Sequence, residues 1–348
     1  MLRLDCFFRY FSVFFILTFS FAGCSHLDED RYLLSLKLAP EYHDPIDSID
    51  IEQFNWHMPL DIIKIDGRFV IKTDMRDYCL SMITSEGKPM DLIRIGRGPG
   101  EIIQCPSLQL NNDRVVCYDS TSGVLVSVDV EKSEQTGITI VDTLGIYSKA
   151  SEVGCLKMTD KCYLCIPMLD GEYWYVSSDK DGNRLSGVKT IDFPEIKNMS
   201  LDMKMSFLYS SIGTVGPKGD KVCYASVASA TLSFSEIKDG ILTEIKRYSY
   251  NPPLLAEGGQ AFSMDSCNGF ESLFSNDDYV FALYSGKPIS STESPSWECN
   301  HLLVYDWAGI LKKYYYLSQL VKSVWVEGDI LYATTTYPEA KILIYKLI

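Results

Sequence analysis

The side chains with the most chemical promise are crowded into IGRGPGE, from Ile95 to Glu101. This stretch combines three glycines that free the backbone, a proline, one cation at Arg97 and one carboxylate at Glu101. A phosphate-gripping loop of this composition needs Lys followed by Ser or Thr and then the first turn of a helix. Neither follows here. Two uses remain for the charged pair. Arg97 and Glu101 can face a polar ligand, a sugar or a carboxylate, through charge-assisted hydrogen bonds. Alternatively, Glu101 accepts backbone N–H groups of its own loop while Arg97 pairs with it or with a neighbouring element, because a glycine-rich path exposes donors that need partners.

Other reactive residue types are present without a catalytic spacing. The four histidines, His26, His43, His57 and His301, do not follow a zinc-ligand pattern, and there is no G-x-S-x-G nucleophile elbow. No residue pattern calls for a cofactor. Cys162 and Cys165 resemble a CxxC motif, yet they lie in the alternating run KCYLCIPM, which reads as a strand. Residues three apart on a strand point to opposite faces, so these thiols are expected to be buried separately as small hydrophobes. Carboxylate pairs abound in so acidic a chain and single out no glycosidase or lyase pair.

The elements that must position these residues read as strands. From about residue 46 onward no helical stretch stands out. Runs rich in Val, Ile, Tyr, Phe and Leu are cut by Asp, Asn and Gly turns. Turns that precede an apolar strand recur at Asp66-Gly67, Asn112-Asp113, Thr159-Asp160, Gly219-Asp220, Asn276-Asp277-Asp278 and Gly328-Asp329, about every 53 residues. A second turn follows five of them, at Glu86-Gly87, Gln135-Thr136-Gly137, Asp181-Gly182, Asp239-Gly240 and Ala308-Gly309. This is the punctuation of an all-β, six-bladed β-propeller with four-stranded blades; a β-sandwich is the competing architecture. The sixth unit stops after three strands. Ile46 to Phe54, which alternates ahead of the first inner strand, is expected to supply the fourth and close the ring.

IGRGPGE then falls where the chain leaves the outer edge of blade one and returns to the axis, a place that suits glycine and proline. Here the sequence resembles the exported six-bladed propellers of Gram-negative gut-type bacteria, often lipoproteins, related in architecture to NHL and TolB-like propellers. Their G-x-G-P-G-E stretch corresponds to Gly96-Arg97-Gly98-Pro99-Gly100-Glu101, behind the turn Glu86-Gly87-Lys88. The resemblance implies fold and export more firmly than activity.

In such a ring the crossings between blades share a face with the loops joining the two middle strands of each blade. The long irregular segments 193–207, 251–268 and 286–300 all fall on that face, which makes it the expected binding surface. Besides Arg97 and Glu101, candidate contacts there are Asp74, Arg76, Asp77, Asp170, Glu172, Tyr173, Trp297 and Tyr337. An exposed aromatic can stack on a sugar ring or a peptide side chain, whereas packing beneath a long loop is the alternative for Trp297 and Tyr337.

The N-terminus reads as an export signal over residues 1–23, with Arg3 and Arg9 ahead of the apolar run Tyr10 to Ala22. It ends in Phe21-Ala22-Gly23-Cys24, which resembles a lipobox in which Cys24 is lipidated; an uncleaved signal anchor is the alternative. An acidic tether over 24–45 and the propeller over 46–348 complete the expected organisation. The partners this implies are the outer membrane, through the lipid, and a glycan, peptide or envelope protein. Placement is expected on the outer membrane, either periplasmic or surface-exposed. Nucleic acid is disfavoured: 32 Lys+Arg against 46 Asp+Glu give a formal charge of −14 without a basic patch. Three functions fit: a lipid-anchored binding or scaffolding module, an envelope lyase or hydrolase using carboxylates at the channel mouth, with or without calcium, or a spacer.

Overall fold

The computed structural model describes residues 30–348, apart from 75–76, 150–151, 169–170, 195–198, 259–260, 293 and 348. The expected signal sequence and Cys24 lie outside the described residues. Two units are distinguished, Met1–Lys37 and Leu38–Ile348. In the first, Asp30 caps the short helix Arg31–Ser35, accepting from the amides of Tyr32 and Leu33 at 2.9 and 3.0 Å.

The second unit is a ring of six antiparallel blades. From the axis outward, blade one is Pro59–Ile65, Arg68–Thr73, Tyr78–Ile83 and Pro89–Arg94, and blade two is Leu108–Asn111, Arg114–Tyr118, Val124–Asp129 and Ile140–Ile146. Blade three runs over 153–189, blade four over 211–250, blade five over 270–321 and blade six over 323–346. The tight turns between strands have a local cause. At Asp66-Gly67 both central residues have positive φ, 45° and 79°, as they do at Asp239-Gly240, 52° and 80°. That is the geometry whose twist matches a two-residue hairpin, and Asp-Gly is among the few pairs that adopt it cheaply.

Closure follows the expected route. Asp47–Asp50 pairs antiparallel with Lys341–Lys346, Ile49 opposite Ile342, and Ile51 N–H donates to Ala340 O at 3.2 Å. Ile51 and Trp56 are then buried with Ile62, Phe69, Ile71 and Ile342 between blades six and one. A second strand precedes this clasp inside the stretch read as tether. Glu41–His43 pairs in parallel with the outer strand Leu311–Val321 of blade five, and the compact unit begins at Leu38. His43 Nδ1 also lies 3.1 Å from Lys346 O, so one short segment staples blade five to blade six.

The side chains between blades form the core. Blades one and two share Ile63, Val70, Leu80, Ile93, Val115 and Val126, and blades three and four bury Leu164, Trp174, Tyr175, Phe207 and Tyr224. Trp325, on the innermost strand of blade six, packs against the clusters on both sides of that blade and against the core of blades one and two. Cys162 belongs to the core between blades three and four and Cys165 to that between blades two and three, on opposite faces of their strand. Burial pushes the Cys165 thiol up to about 11, so it is a poor nucleophile.

The expectation of no helix beyond residue 46 is corrected. Val130–Thr136 is helical at the site of the expected glycine turn: Asp129 Oδ1 caps it by accepting the Lys132 N–H at 3.0 Å, and Gly137 ends it at φ 68°. Leu201–Tyr209 is a second helix, capped by Ser200, inside the segment read as irregular. Both helices are short and lack a long apolar stripe, so their caps were the readable signal.

Candidate functional site

The crossing loop is held by its own backbone. Ile95 and Ile102 form an isolated parallel bridge, Gly96 N–H donates to Ile102 O at 3.0 Å, and Ile102 N–H donates to Arg94 O at 3.2 Å. Glu101 folds back over the glycines: its Oε2 accepts Gly98 N–H at 2.7 Å while its own N–H donates to Gly98 O at 3.0 Å. A Cβ at Gly96 would lie 2.0 Å from Oε2, so that position must be bare for the carboxylate to keep its place, and one at Gly98, at 3.0 Å, would be tight. Arg97 is exposed and, among the described residues, has no hydrogen-bond or ion-pair partner.

The loop between the middle strands of blade two docks onto this crossing through Asp119, a residue the sequence analysis did not select. Asp119 is buried and accepts from the amides of Ile103, Gln104 and Thr121 at 3.2, 3.2 and 3.0 Å and from Ser122 Oγ at 2.7 Å. Burial opposes its ionisation, but the Ser122 hydroxyl and the three amides outweigh it and hold the carboxyl below the usual range. The signal was the Asp-Ser-Thr-Ser-Gly turn composition at 119–123. Between crossing and loop opens a cavity of about 450 Å³, lined among others by Arg97, Pro99, Glu101, Asp119, Ser122 and Thr143.

A different arrangement forms where blades five and six meet. Glu298 is fully buried, and its Oε1 accepts the Thr336 amide at 2.5 Å and the Thr336 hydroxyl. This clamp joins the long loop of blade five to the corresponding loop of blade six, with Trp297 one residue before it and Tyr337 one residue after. Both aromatics are turned out, at 43% and 51% exposure, so packing beneath a loop does not describe them. Lys287 steadies the long loop through Ser294 Oγ at 2.9 Å and Glu298 O at 3.1 Å. The second carboxyl oxygen of Glu298 is buried without a hydrogen-bond partner. Burial raises the Glu298 carboxyl above its usual range against the pull of Thr336. Trp297 and Tyr337 are thus brought to one junction, although Glu298, the residue that does so, was not legible as a site residue.

The remaining candidates are dispersed. Asp74 is exposed, with its backbone N–H on Met58 O at 3.2 Å; Arg76 and Asp170 lie outside the described residues. Tyr173 sits on the third strand of blade three with Arg184 and Lys189 over its ring, at 4.3 and 4.5 Å from the centroid. It packs closely on Gly187, where a Cβ would come within 2.4 Å, and Glu172 pairs with Lys189. The Tyr173 ring is therefore occupied by its own blade. Among the described residues, no group of three or more His, Cys, Asp and Glu is placed to hold a metal ion, and no helix is long and apolar enough to cross a membrane.

A family model described as TolB-like 6-blade propeller-like matches residues 46–329. Similar solved structures include a protein of Bacteroides fragilis NCTC 9343 provisionally named as exported. It is 10% identical, with 89% of this chain and 100% of that one covered at a TM-score of 0.48. A member of the DUF4221 family from Bacteroides vulgatus ATCC 8482 is 9% identical, with 89% and 97% covered at a TM-score of 0.49. No curated protein matches the chain.

Proposed function

Because the chain belongs to the TolB-like 6-blade propeller-like family, we propose that it is a binding or scaffolding module of the cell envelope that engages a glycan, peptide or envelope protein through its loop-rich face. The observation that carries this reading is the pair Trp297 and Tyr337, held outward on either side of the buried Glu298–Thr336 clamp. Large aromatics with exposed faces offer stacking surface at little entropic cost. They sit on fixed loops, so little ordering has to accompany binding. Arg97 and Asp74, exposed on loops of the same face, are the polar contacts we assign to its periphery. Glu101 shapes the neighbouring cavity rather than reaching a ligand.

Attachment to the outer membrane is proposed through lipid on Cys24, on the strength of the apolar run and small residues before it. A hydrolase or lyase reading would draw on the raised carboxyls of Asp61, Glu271 and Glu298, but Glu298 is already committed to Thr336 and Glu271 to Lys322, which leaves Asp61 without a second such group. The test is a panel of envelope glycans and peptides presented to the wild-type protein and to Trp297→Ala plus Tyr337→Ala. Each ring contributes about 1 kcal/mol, so the double variant should bind about 30-fold more weakly. Equal binding by both proteins would remove the aromatic pair from recognition.

A further inference from the structure

Within the ring a second group of charges converges that the loop face does not use. Asp61 lies near the start of the innermost strand of blade one, opposite Lys72 on the adjacent strand. Lys157 is on the innermost strand of blade three, and Lys322 immediately precedes that of blade six. Lys72 Nζ lies 3.4 Å from Pro106 O, and Lys157 Nζ donates to Leu108 O. Ammonium groups from blades one and three are therefore drawn to the same short stretch where blade two begins. Ser107, between the two carbonyls, is fixed by its hydroxyl bond to Leu156 O at 3.2 Å.

The lysines are not equivalent. Lys322 is neutralised by Glu271 at 2.6 Å, with both side chains largely buried. Lys72 and Lys157 have backbone carbonyls but, among the described residues, no carboxylate ion pair. Asp61, the acid on which Lys157, Lys72 and Lys322 all act, spends one oxygen on the Ile62 amide at 2.9 Å. Burial pushes its carboxyl above the usual range in spite of the three cations. Asp61 itself is half-buried, and charge-assisted hydrogen bonds gain strength where water is partly excluded. Lys72 and Lys157 each keep part of their surface open.

We propose that Lys72 and Lys157, with Asp61 beside them, form a binding site for a small oxyanion where the inner strands of blades one and three meet the start of blade two. Two ammonium groups with spare donors suit a compact anion approached as a point charge, without the bidentate geometry of arginine. Asp61 acts as the gate. Ionised, it cancels one of the two unpaired cations; protonated, it leaves both for the ligand. The other titratable groups around it are Lys322 with Glu271, which balance each other, and the buried Cys105 thiol. Anion affinity therefore rises as pH falls through the Asp61 titration.

The experiment is calorimetric titration of the full chain in detergent with sulfate, whose charge is constant from about pH 5 to 8, and with citrate as a carboxylate probe. Wild type is expected to bind at least one anion saturably, more tightly at the lower pH. Lys72→Met plus Lys157→Met should weaken binding about tenfold or more. Asp61→Asn should tighten it and abolish the pH dependence, while Trp297→Ala plus Tyr337→Ala should leave it unchanged, which separates this site from the loop face. Absence of saturable binding to wild type, or equal affinity in the lysine variant, overturns the proposal. If the lysine variant does not fold, unchanged affinity and pH dependence in Asp61→Asn overturn it.

Discussion

The glycine-rich crossing after blade one and the clamp between blades five and six solve opposite problems on one face of the ring. At the crossing a carboxylate is spent inward: Glu101 satisfies Gly98, fills the space over Gly96, and stiffens a path that would otherwise be soft. At the clamp the carboxylate is buried to hold two loops together, and the aromatics beside it are released to solvent. The more conspicuous sequence feature therefore serves architecture. The inconspicuous one presents the surface we propose for a partner.

The contrast can be broken most severely at Glu298. Glu298→Ala removes the acceptor for both Thr336 donors in a dry site and should destabilise the protein by about 2–3 kcal/mol, read by chemical denaturation. Glu298→Gln keeps an acceptor for Thr336 and should cost less. It also carries a signed pH effect. The folded carboxyl titrates above its unfolded value, so its contribution to stability is complete below the ordinary carboxylate range and is lost as pH rises through the raised pKa. The Gln variant cannot ionise, so its stability relative to wild type should improve on going from acid to neutral pH. A constant difference would mean that Glu298 is not strained by ionisation.

Gly96→Ala sharpens the other side. The new methyl would force the Glu101 carboxylate away from Gly98, a loss of about 1–2 kcal/mol. Glu101→Ala should cost a similar amount. Because both changes remove the same contact, the double variant should be less destabilised than the sum of the singles. Full additivity in denaturation midpoints would separate the two residues. Trp297→Ala and Tyr337→Ala should be the mildest for folding, within about 0.5 kcal/mol, as befits exposed side chains; a large loss would make them packing residues after all.

The blade repeat was legible because strand periodicity and Asp-Gly hairpins are local, and each repeat restates them. The closing strand was legible because a sixth unit with three strands leaves an edge that something must cover, and Ile49 and Ile51 alternate correctly for the task. Glu41–His43 was not: three residues carry too little pattern to announce a parallel pairing with a strand almost three hundred residues away. Trp297 and Tyr337 could be named from residue type and loop length. Their junction could not, because it depends on Glu298 meeting Thr336 across two blades, and nothing local distinguishes that carboxylate from 45 other acidic residues. The Lys72–Lys157 convergence was hidden for the same reason, since only the ring brings blades one and three to the entry of blade two.

Hydrogen exchange of the full chain, with and without a ligand captured from the envelope panel, tests the placement of the recognition surface most directly. The account predicts the strongest slowing over 286–300 and 335–339, around Trp297 and Tyr337, with only slight slowing over 95–104, where Arg97 is a peripheral contact. Protection confined to 95–104 would place recognition at the glycine crossing and contradict it.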